Sequence, residues 1–173
     1  WYKMTKAKSY SYPVLIFIIF SFYTIYEIRN SFDNNYLYFL FITIICIATD
    51  IGGFLFGRLI KGPKLTKISP NKTYAGMLGS FLLPILLIYF LSENIYFKNL
   101  YNLNLKIIIF IILVSTVSQI GDIIISYFKR SSKIKDTGKI IPGHGGLLDR
   151  IDGMIFAFPF SYLVLVSNYI NIN

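Results

Sequence analysis

The densest group of polar residues in the sequence lies between two apolar runs, from residue 126 to residue 152. It holds five cations between residues 129 and 139, a Pro-Gly-His-Gly-Gly sequence at 142–146, and the aspartates Asp136, Asp149 and Asp152. Glycines let backbone N–H groups approach an anion closely, Lys and Arg neutralise it, and clustered carboxylates hold a hard cation such as Mg²⁺. The segment therefore predicts binding of phosphate together with a metal ion. A basic loop between membrane helices would carry similar charge, so charge alone leaves that second interpretation open.

The composition places this segment in a membrane protein. The chain has 173 residues, of which 55% are hydrophobic and 14% charged, and its mean hydropathy is +0.60. These values exclude an ordinary soluble globular domain. The single cysteine, Cys46, lies in an apolar run, so no intrachain disulfide can form. The net charge of +9 would suit nucleic acid, but the sequence shows neither a recognition helix nor an aromatic-basic platform, and we expect no nucleic-acid partner.

Hydropathy predicts an all-α fold, a polytopic transmembrane helix bundle in a single membrane domain. A span needs about 20 apolar residues, and five segments are interpreted as spans: residues 12–26, 36–60, 75–91, 107–128 and 147–170. The first is the shortest, and the lysines before it resemble those of a signal peptide, but no small-residue cleavage site follows it.

The second predicted span carries a stripe of small or polar residues at three- and four-residue steps. Its members are Thr43, Cys46, Asp50, Gly53 and Gly57. Gly53 and Gly57 form a GxxxG pair, which is typical of close helix packing. Asp50 is different, because a carboxylate inside a span must face a cavity or a partner and is a functional candidate.

The fourth predicted span carries a longer polar stripe on an otherwise aliphatic helix. Its members are Ser115, Ser118, Gln119, Asp122, Ser126 and Lys129. Such a stripe must face protein or water rather than lipid. We therefore expect Asp122, Asp50 and the segment 126–152 to meet in one polar pocket at headgroup depth.

The distribution of cations predicts the orientation of these spans. Fourteen of the seventeen Lys and Arg residues fall on the N-terminal side, in the N-terminal segment, the loop at 57–73 and the polar segment. The other side holds Arg29, Lys98 and Lys106. Because cytoplasmic loops carry the excess of Lys and Arg, the N-terminus and both basic loops are predicted to be cytoplasmic.

The polar segment resembles, almost position by position, the signature of the CDP-diacylglycerol synthases (phosphatidate cytidylyltransferases). That signature contains S-x-x-K-R, then K-D-x-G, then P-G-H-G-G-x-x-D-R-x-D, and a motif of this length is far more specific than a short phosphate-loop pattern. The matching positions are Ser126, Lys129, Arg130, Lys135, Asp136, Gly138, residues 142–146, Asp149, Arg150 and Asp152.

Two further elements resemble the same family. Residues 69–76 are similar to its S-P-K-K-T-W-E-G element, which Asp50 and Gly57-Arg58 precede as expected, and residues 119–122 match its Q-x-G-D. Four positions depart from the family pattern, with Asn71, Tyr74, Ala75 and Ile125 standing where it has lysine, tryptophan, glutamate and glutamate.

The resemblance implies an enzyme that transfers CMP from CTP to phosphatidate at the cytoplasmic face of a membrane, giving CDP-diacylglycerol and pyrophosphate for phospholipid biosynthesis. It also implies a Mg²⁺ cofactor, with a second cation such as K⁺. The expected partners are CTP, phosphatidate, the lipid bilayer and, in a homodimer, a second copy of the chain. The expected location is a bacterial inner membrane. Members of the family are longer, so the chain is expected to correspond to their C-terminal catalytic part without the N-terminal spans.

The resemblance also assigns site residues. The catalytic residues are expected to be Asp122, Lys129, Arg130, Lys135, Asp136, His144, Asp149 and Arg150. The substrate-binding residues are expected to be Asp50, Arg58, Ser69, Lys72, Thr73, Gln119, Ser126, Gly143, Gly145 and Gly146. The expected Mg²⁺ ligands are Asp122, Asp149 and Asp152, with Asp152 outside the inner coordination sphere. His144 is expected to hydrogen-bond phosphate or nucleotide, or to serve the structure of the glycine loop, because an ionised phosphate needs no general base.

Three alternatives stay open. Asp149 and Asp152 could instead cap the fifth helix, where acidic residues favour the N-terminal dipole. A related transferase or kinase acting on another lipid phosphate or polyprenol would share this architecture. A transporter would also bury Asp50 and Asp122, although the inverted repeats and broken helix pairs typical of transporters are not evident in the sequence.

The predicted topology has a direct test. With five spans and a cytoplasmic N-terminus, a reporter fused after residue 173 is expected to report an extracytoplasmic location. A cytoplasmic signal from that fusion would mean that the number of spans is wrong.

Overall fold

The computed structural model describes residues 11–30, 36–65, 72–93, 104–132 and 151–167, and these residues form an all-α bundle, as hydropathy predicts. The helices are α1 (Ser11–Asn30), α2 (Tyr36–Leu59), α3 (Tyr74–Ser92), α4 (Leu105–Ser131) and α5 (Met154–Val166). The first four are long and apolar enough to cross a membrane. The chain is therefore an integral membrane protein.

The predicted bounds hold closely for α2, α3 and α4, and less well at the two ends of the bundle. Helix α1 continues to Asn30, beyond the predicted end at residue 26. The predicted fifth span, residues 147–170, is interrupted near its start, because Asp152 and Gly153 form a turn between Ile151 and α5, which begins at Met154. At this turn the backbone of Gly153 lies against α4, where an added Cβ would come within 2.9 Å of Asp122 Oδ1. The turn therefore allows a close contact between Gly153 and α4, which hydropathy cannot predict.

Helix α2 is the centre of the bundle and touches each of the other four helices. Its buried face carries Phe41, Ile42 and Ile45, and the ring of Phe41 stacks on Phe110 of α4 with a centroid separation of 6.2 Å. Cys46 is fully buried in the same core, in keeping with a packing role. Of the predicted stripe, Cys46 thus packs in the core, whereas Asp50 is exposed and lines a cavity.

The contact between α2 and α3 depends on glycines. A Cβ added at Gly79 would lie 2.7 Å from the backbone oxygen of Gly52, and one added at Gly76 would lie 2.7 Å from that of Gly53. Small residues let backbones approach closely in membrane bundles, where the hydrophobic effect does not drive association between helices. The predicted packing role of the Gly53–Gly57 pair is therefore confirmed, since a Cβ at Gly57 would also lie 3.2 Å from Thr73 Oγ1.

The polar stripe of α4 faces the interior of the bundle, as predicted. Ser115 and Ser118 are buried, and Thr49 of α2 donates a hydrogen bond to Ser115 Oγ at 2.9 Å. Ser80 of α3 in turn donates to the backbone oxygen of Thr49 at 2.9 Å. These bonds connect α3, α2 and α4 where lipid could not satisfy a hydroxyl group.

Replacing Gly79 tests the glycine contact. Alanine is the better helix former by about 1 kcal/mol, so any loss of stability in Gly79→Ala must come from the added methyl group, which would approach Phe56 and Gly52. We expect the free energy of unfolding in mixed micelles to fall by about 1–3 kcal/mol, the usual cost of overpacking.

The matched control is Leu82→Ala on the half-exposed face of the same helix. It is expected to change the free energy of unfolding by no more than about 0.5 kcal/mol. Equal stability of the two variants would contradict a tight glycine interface.

Candidate active site

A cavity of about 360 Å³ lies between α2, α3, α4 and the turn before α5. Seven of the residues predicted to form the site line it: Asp50, Lys72, Thr73, Gln119, Asp122, Ser126 and Asp152. The structure thus brings together residues that are up to 102 positions apart in the sequence. In this cavity, the polar stripe of α4 meets Asp50 and the end of the polar segment, as predicted.

Lys72 reaches the centre of the cavity and forms an ion pair with Asp122. The distance from Lys72 Nζ to Asp122 Oδ2 is 3.1 Å, and Nζ also donates to the backbone oxygen of Gln119 at 3.5 Å. The sequence predicts Lys72 as a substrate-binding residue and contains no signal for this pairing. In the described structure, the ammonium group lies where it can balance one carboxylate.

The backbone around Lys72 is fixed by the start of α3. Thr73 is the N-cap, and its hydroxyl oxygen accepts a hydrogen bond from Gly76 N at 3.1 Å. The preceding loop pairs with it, since Leu65 N donates to Lys72 O at 2.7 Å and Tyr74 N donates to Pro63 O at 3.2 Å. Helix capping and this short antiparallel bridge together direct Lys72 towards α4.

A second ion pair joins the end of α4 to the turn before α5. Lys129 Nζ lies 3.4 Å from Asp152 Oδ2, and the two side chains are only 12% and 15% exposed. Burial, and after it the negative charge of Asp122, raises the pKa of the Asp152 carboxyl to about 7, while Lys129 acts in the opposite direction. Two carboxyl groups therefore lie close together in a poorly solvated place.

The carboxylates at the cavity outnumber the ammonium groups paired with them among the described residues. Asp50, Asp122 and Asp152 line the cavity, whereas Lys72 and Lys129 provide the paired positive charges. Asp122 Oδ1 is buried and has no hydrogen-bond partner in the described part of the chain. A buried carboxylate oxygen without a donor is costly, and a bound cation would remove that cost.

These residues fit Mg²⁺, which in proteins is usually held by one or two carboxylates together with waters and substrate phosphates. Asp122 would supply a carboxylate directly, while Asp152, which is paired with Lys129, stays predicted outside the inner coordination sphere. The described residues contain no group of three potential metal ligands from His, Cys, Asp and Glu, and the third predicted ligand, Asp149, lies outside them. The three-ligand set therefore stays a prediction.

Three predicted cations of the described residues do not line the cavity, and of these Lys129 lies beside it through its ion pair with Asp152. Arg58 is exposed at the end of α2, with its guanidinium carbon 5.9 Å from the centroid of the Phe54 ring. Arg130 is exposed in the last turn of α4. The remaining predicted site residues lie outside the described residues: Ser69, Lys135, Asp136, Gly143, His144, Gly145, Gly146, Asp149 and Arg150.

The sequence interpretation missed three residues that form or shape the wall of the cavity. Thr49 and Ser80 line it and hydrogen-bond to each other through the Thr49 carbonyl. Gly153 allows the turn carrying Asp152 to lie against Asp122. The available signals were weak, since Thr49 merely precedes Asp50 and Ser80 merely follows Gly79.

The fold and the site together define an all-α integral membrane protein with an acidic cavity that contains a lysine. Comparison with known proteins then identifies its family. The cytidylyltransferase family matches residues 1–168, and the chain belongs to that family. The resemblance seen in the sequence motifs is thereby confirmed.

Similar proteins named phosphatidate cytidylyltransferase come from several bacteria. That of Staphylococcus saprophyticus is 38% identical over 158 residues, covering 88% of this chain and 57% of the relative. That of Staphylococcus haemolyticus is 38% identical over 136 residues, covering 75% and 49%. That of Rickettsia bellii is 37% identical over 175 residues, covering 95% and 73%. The chain thus spans about half the length of the staphylococcal relatives.

The Lys72–Asp122 pair can be tested by removing its positive charge. Lys72→Met leaves the mostly buried Asp122 carboxylate without that partner, and we expect the free energy of unfolding to fall by about 1–3 kcal/mol. Because the two groups interact, Asp122→Asn should cost less in the Lys72→Met background than in the wild type.

The control is Lys64→Met, which removes an exposed lysine of the same loop and should change stability by no more than about 0.5 kcal/mol. Strictly additive effects of Lys72→Met and Asp122→Asn would show that the pair contributes no coupling energy.

Proposed function

We propose that this chain transfers CMP from CTP to phosphatidate at the cytoplasmic face of a bacterial inner membrane, giving CDP-diacylglycerol and pyrophosphate. The observation that carries the proposal is the cavity lined by Asp50, Asp122, Asp152 and Lys72, with Lys129 paired to Asp152 beside it. Relatives that bear the name phosphatidate cytidylyltransferase support the choice of substrates.

The reaction joins two polyanions, so positive charge is its main requirement. A phosphate oxygen of phosphatidate attacks the α-phosphorus of CTP, the bond from that phosphorus to the bridging oxygen breaks, and pyrophosphate leaves with the electron pair. The lipid phosphate is ionised near neutral pH, so the step needs no general base. Lys72 and Lys129 would reduce the repulsion between the two phosphate groups as point charges.

Asp122 and Asp149 would hold Mg²⁺ directly, with Asp152 outside the inner coordination sphere. When bound, the metal would supply charge stabilisation for the CTP phosphates and the pyrophosphate leaving group, and a second cation such as K⁺ is part of the proposal. The glycine loop at 142–146, with Lys135, Asp136, His144 and Arg150, is proposed to complete the nucleotide site. A homodimer stays a prediction.

The proposed orientation is supported by the charges at one end of the bundle. The end of α2, the start of α3 and the end of α4 carry Arg58, Lys61, Lys72, Lys129 and Arg130. Loops rich in Lys and Arg stay in the cytoplasm. A cavity beside this basic end could receive CTP from the cytosol and the lipid phosphate from the inner leaflet.

The test is pyrophosphate release by the purified chain in phosphatidylcholine nanodiscs with Mg²⁺. We expect release only when CTP and phosphatidate are both present, and we expect Asp122→Asn to fold but to lose at least about 100-fold in kcat/KM, since even residues around a metal's direct ligands contribute 10–100-fold.

Glu93→Gln, at the exposed end of α3, is the matched control and should retain activity. A polyprenyl phosphate in place of phosphatidate distinguishes the related transferases. Preference for that acceptor, or full activity of Asp122→Asn, would contradict the proposal.

A further inference from the structure

A second cavity, of about 240 Å³, lies between α1, α2 and α5. Its walls include Phe22 and Ile25 of α1, Phe39 and Thr43 of α2, and Met154 of α5. Its lining exposes no polar surface. This apolar cavity is separate from the set of residues that form the candidate active site.

The apolar character of this cavity is maintained even where its wall contains hydroxyl residues. Ser21 donates its hydroxyl hydrogen bond to backbone oxygens, with Ile155 O at 2.8 Å and Phe17 O at 2.9 Å. Thr43 donates to Phe39 O at 2.7 Å. Both residues therefore present carbon to the cavity. A polar ligand would lose its hydrogen bonds with water there, whereas a hydrocarbon chain would lose none.

The two cavities are neighbours along the chain and along α2. Asp152 lines the active-site cavity, while Ile151 and Met154 line the apolar one. On α2, Thr43 precedes Asp50 by seven residues, about 10 Å along the axis at 1.5 Å per residue. From its basic end at Arg58, α2 thus passes first the carboxylate cavity and then the apolar cavity.

We propose that the apolar cavity binds part of an acyl chain of the lipid acceptor while the lipid phosphate lies in the active-site cavity. The inference rests on the proposed function and adds the site that holds the lipid's hydrocarbon. The order of basic end, carboxylates and apolar cavity along α2 matches the order of phosphate and hydrocarbon in a phospholipid. The volume is below the roughly 300–1,000 Å³ of sites that enclose whole small ligands, so the cavity takes a segment of one chain.

Ile25 is the residue that offers the sharpest test. It is partly buried, packs against the core and lines the cavity, so a larger side chain at this position would fill the space. Ile19 lies on the same helix but is 61% exposed and does not line the cavity. Ile25→Phe and Ile19→Phe are therefore the same chemical change inside and outside the proposed chain site.

The experiment compares dioleoyl with dihexanoyl phosphatidate, in nanodiscs and mixed micelles. We expect Ile25→Phe to raise the KM for the long-chain lipid about tenfold, the effect of displacing roughly two methylene groups, with the KM values for CTP and for the short-chain lipid unchanged. Ile19→Phe should change neither. Equal effects of Ile25→Phe on both lipids would overturn the inference.

A labelling experiment on the wild type keeps the test independent of the variant's folding. Phosphatidate with a diazirine at the end of one acyl chain is expected to label the peptides containing Ile25 and Met154, and unlabelled phosphatidate, but not phosphatidylcholine, should suppress the labelling. Equal suppression by phosphatidylcholine would mean that ordinary bilayer lipid fills the cavity. Absence of label in these peptides would mean that no lipid enters the cavity, either because another part of the protein fills it or because it stays empty. Either result overturns the inference.

Failure of the proposed function would look different. The wild-type chain would then release no pyrophosphate with either phosphatidate, and the acyl-chain assignment would fall with it.

Discussion

The close approach of α2 and α3 is the contact on which the rest of the site depends. Glycines on both helices remove the side chains that would hold the backbones apart, and Gly57 leaves room for the capping hydroxyl of Thr73. The start of α3 is thereby held against α2, so that Lys72 extends across the cavity to α4. A single methyl group in this interface would displace the element that positions the lysine.

Charge inside an apolar bundle is the second constraint. Each of the two ion pairs joins elements far apart in the chain, with separations of 50 residues for Lys72 and Asp122 and 23 for Lys129 and Asp152. Buried ion pairs add little net stability, because desolvation offsets their attraction. Their consequence here is local, since they hold the carboxylates of Asp122 and Asp152 close together. One oxygen of this pair, Asp122 Oδ1, lacks a hydrogen-bond partner among the described residues. The lysines thus concentrate charge of both signs where an anionic substrate and a cation would meet.

Much of this arrangement follows from local properties of the sequence. Long apolar runs predict the membrane helices, because backbone polar groups in lipid must be satisfied within the helix itself. Three- and four-residue spacing places the polar stripe of α4 and the glycines of α2 on inward faces, and the structure confirms both. The motifs alone identify the family, which comparison with known proteins confirms. Residues 133–150, which carry most of the signature, lie outside the described part of the chain, so their roles stay predictions.

Only the tertiary structure decides which charges meet. Helical periodicity fixes the face on which Lys129 lies, but the choice of Asp152 as its partner depends on the turn at Gly153 and on the packing of α5 against α4. The same holds for Arg58, which belongs to a matching motif yet lies outside the cavity. The apolar lining of the cavity between α1, α2 and α5 likewise depends on tertiary contacts. The Ser21 hydroxyl donates to a backbone carbonyl of α5, and the Thr43 hydroxyl to one of its own helix. Hydropathy and spacing carry no information on how helices distant in sequence rotate and approach, and those rotations determine every pair and both cavities.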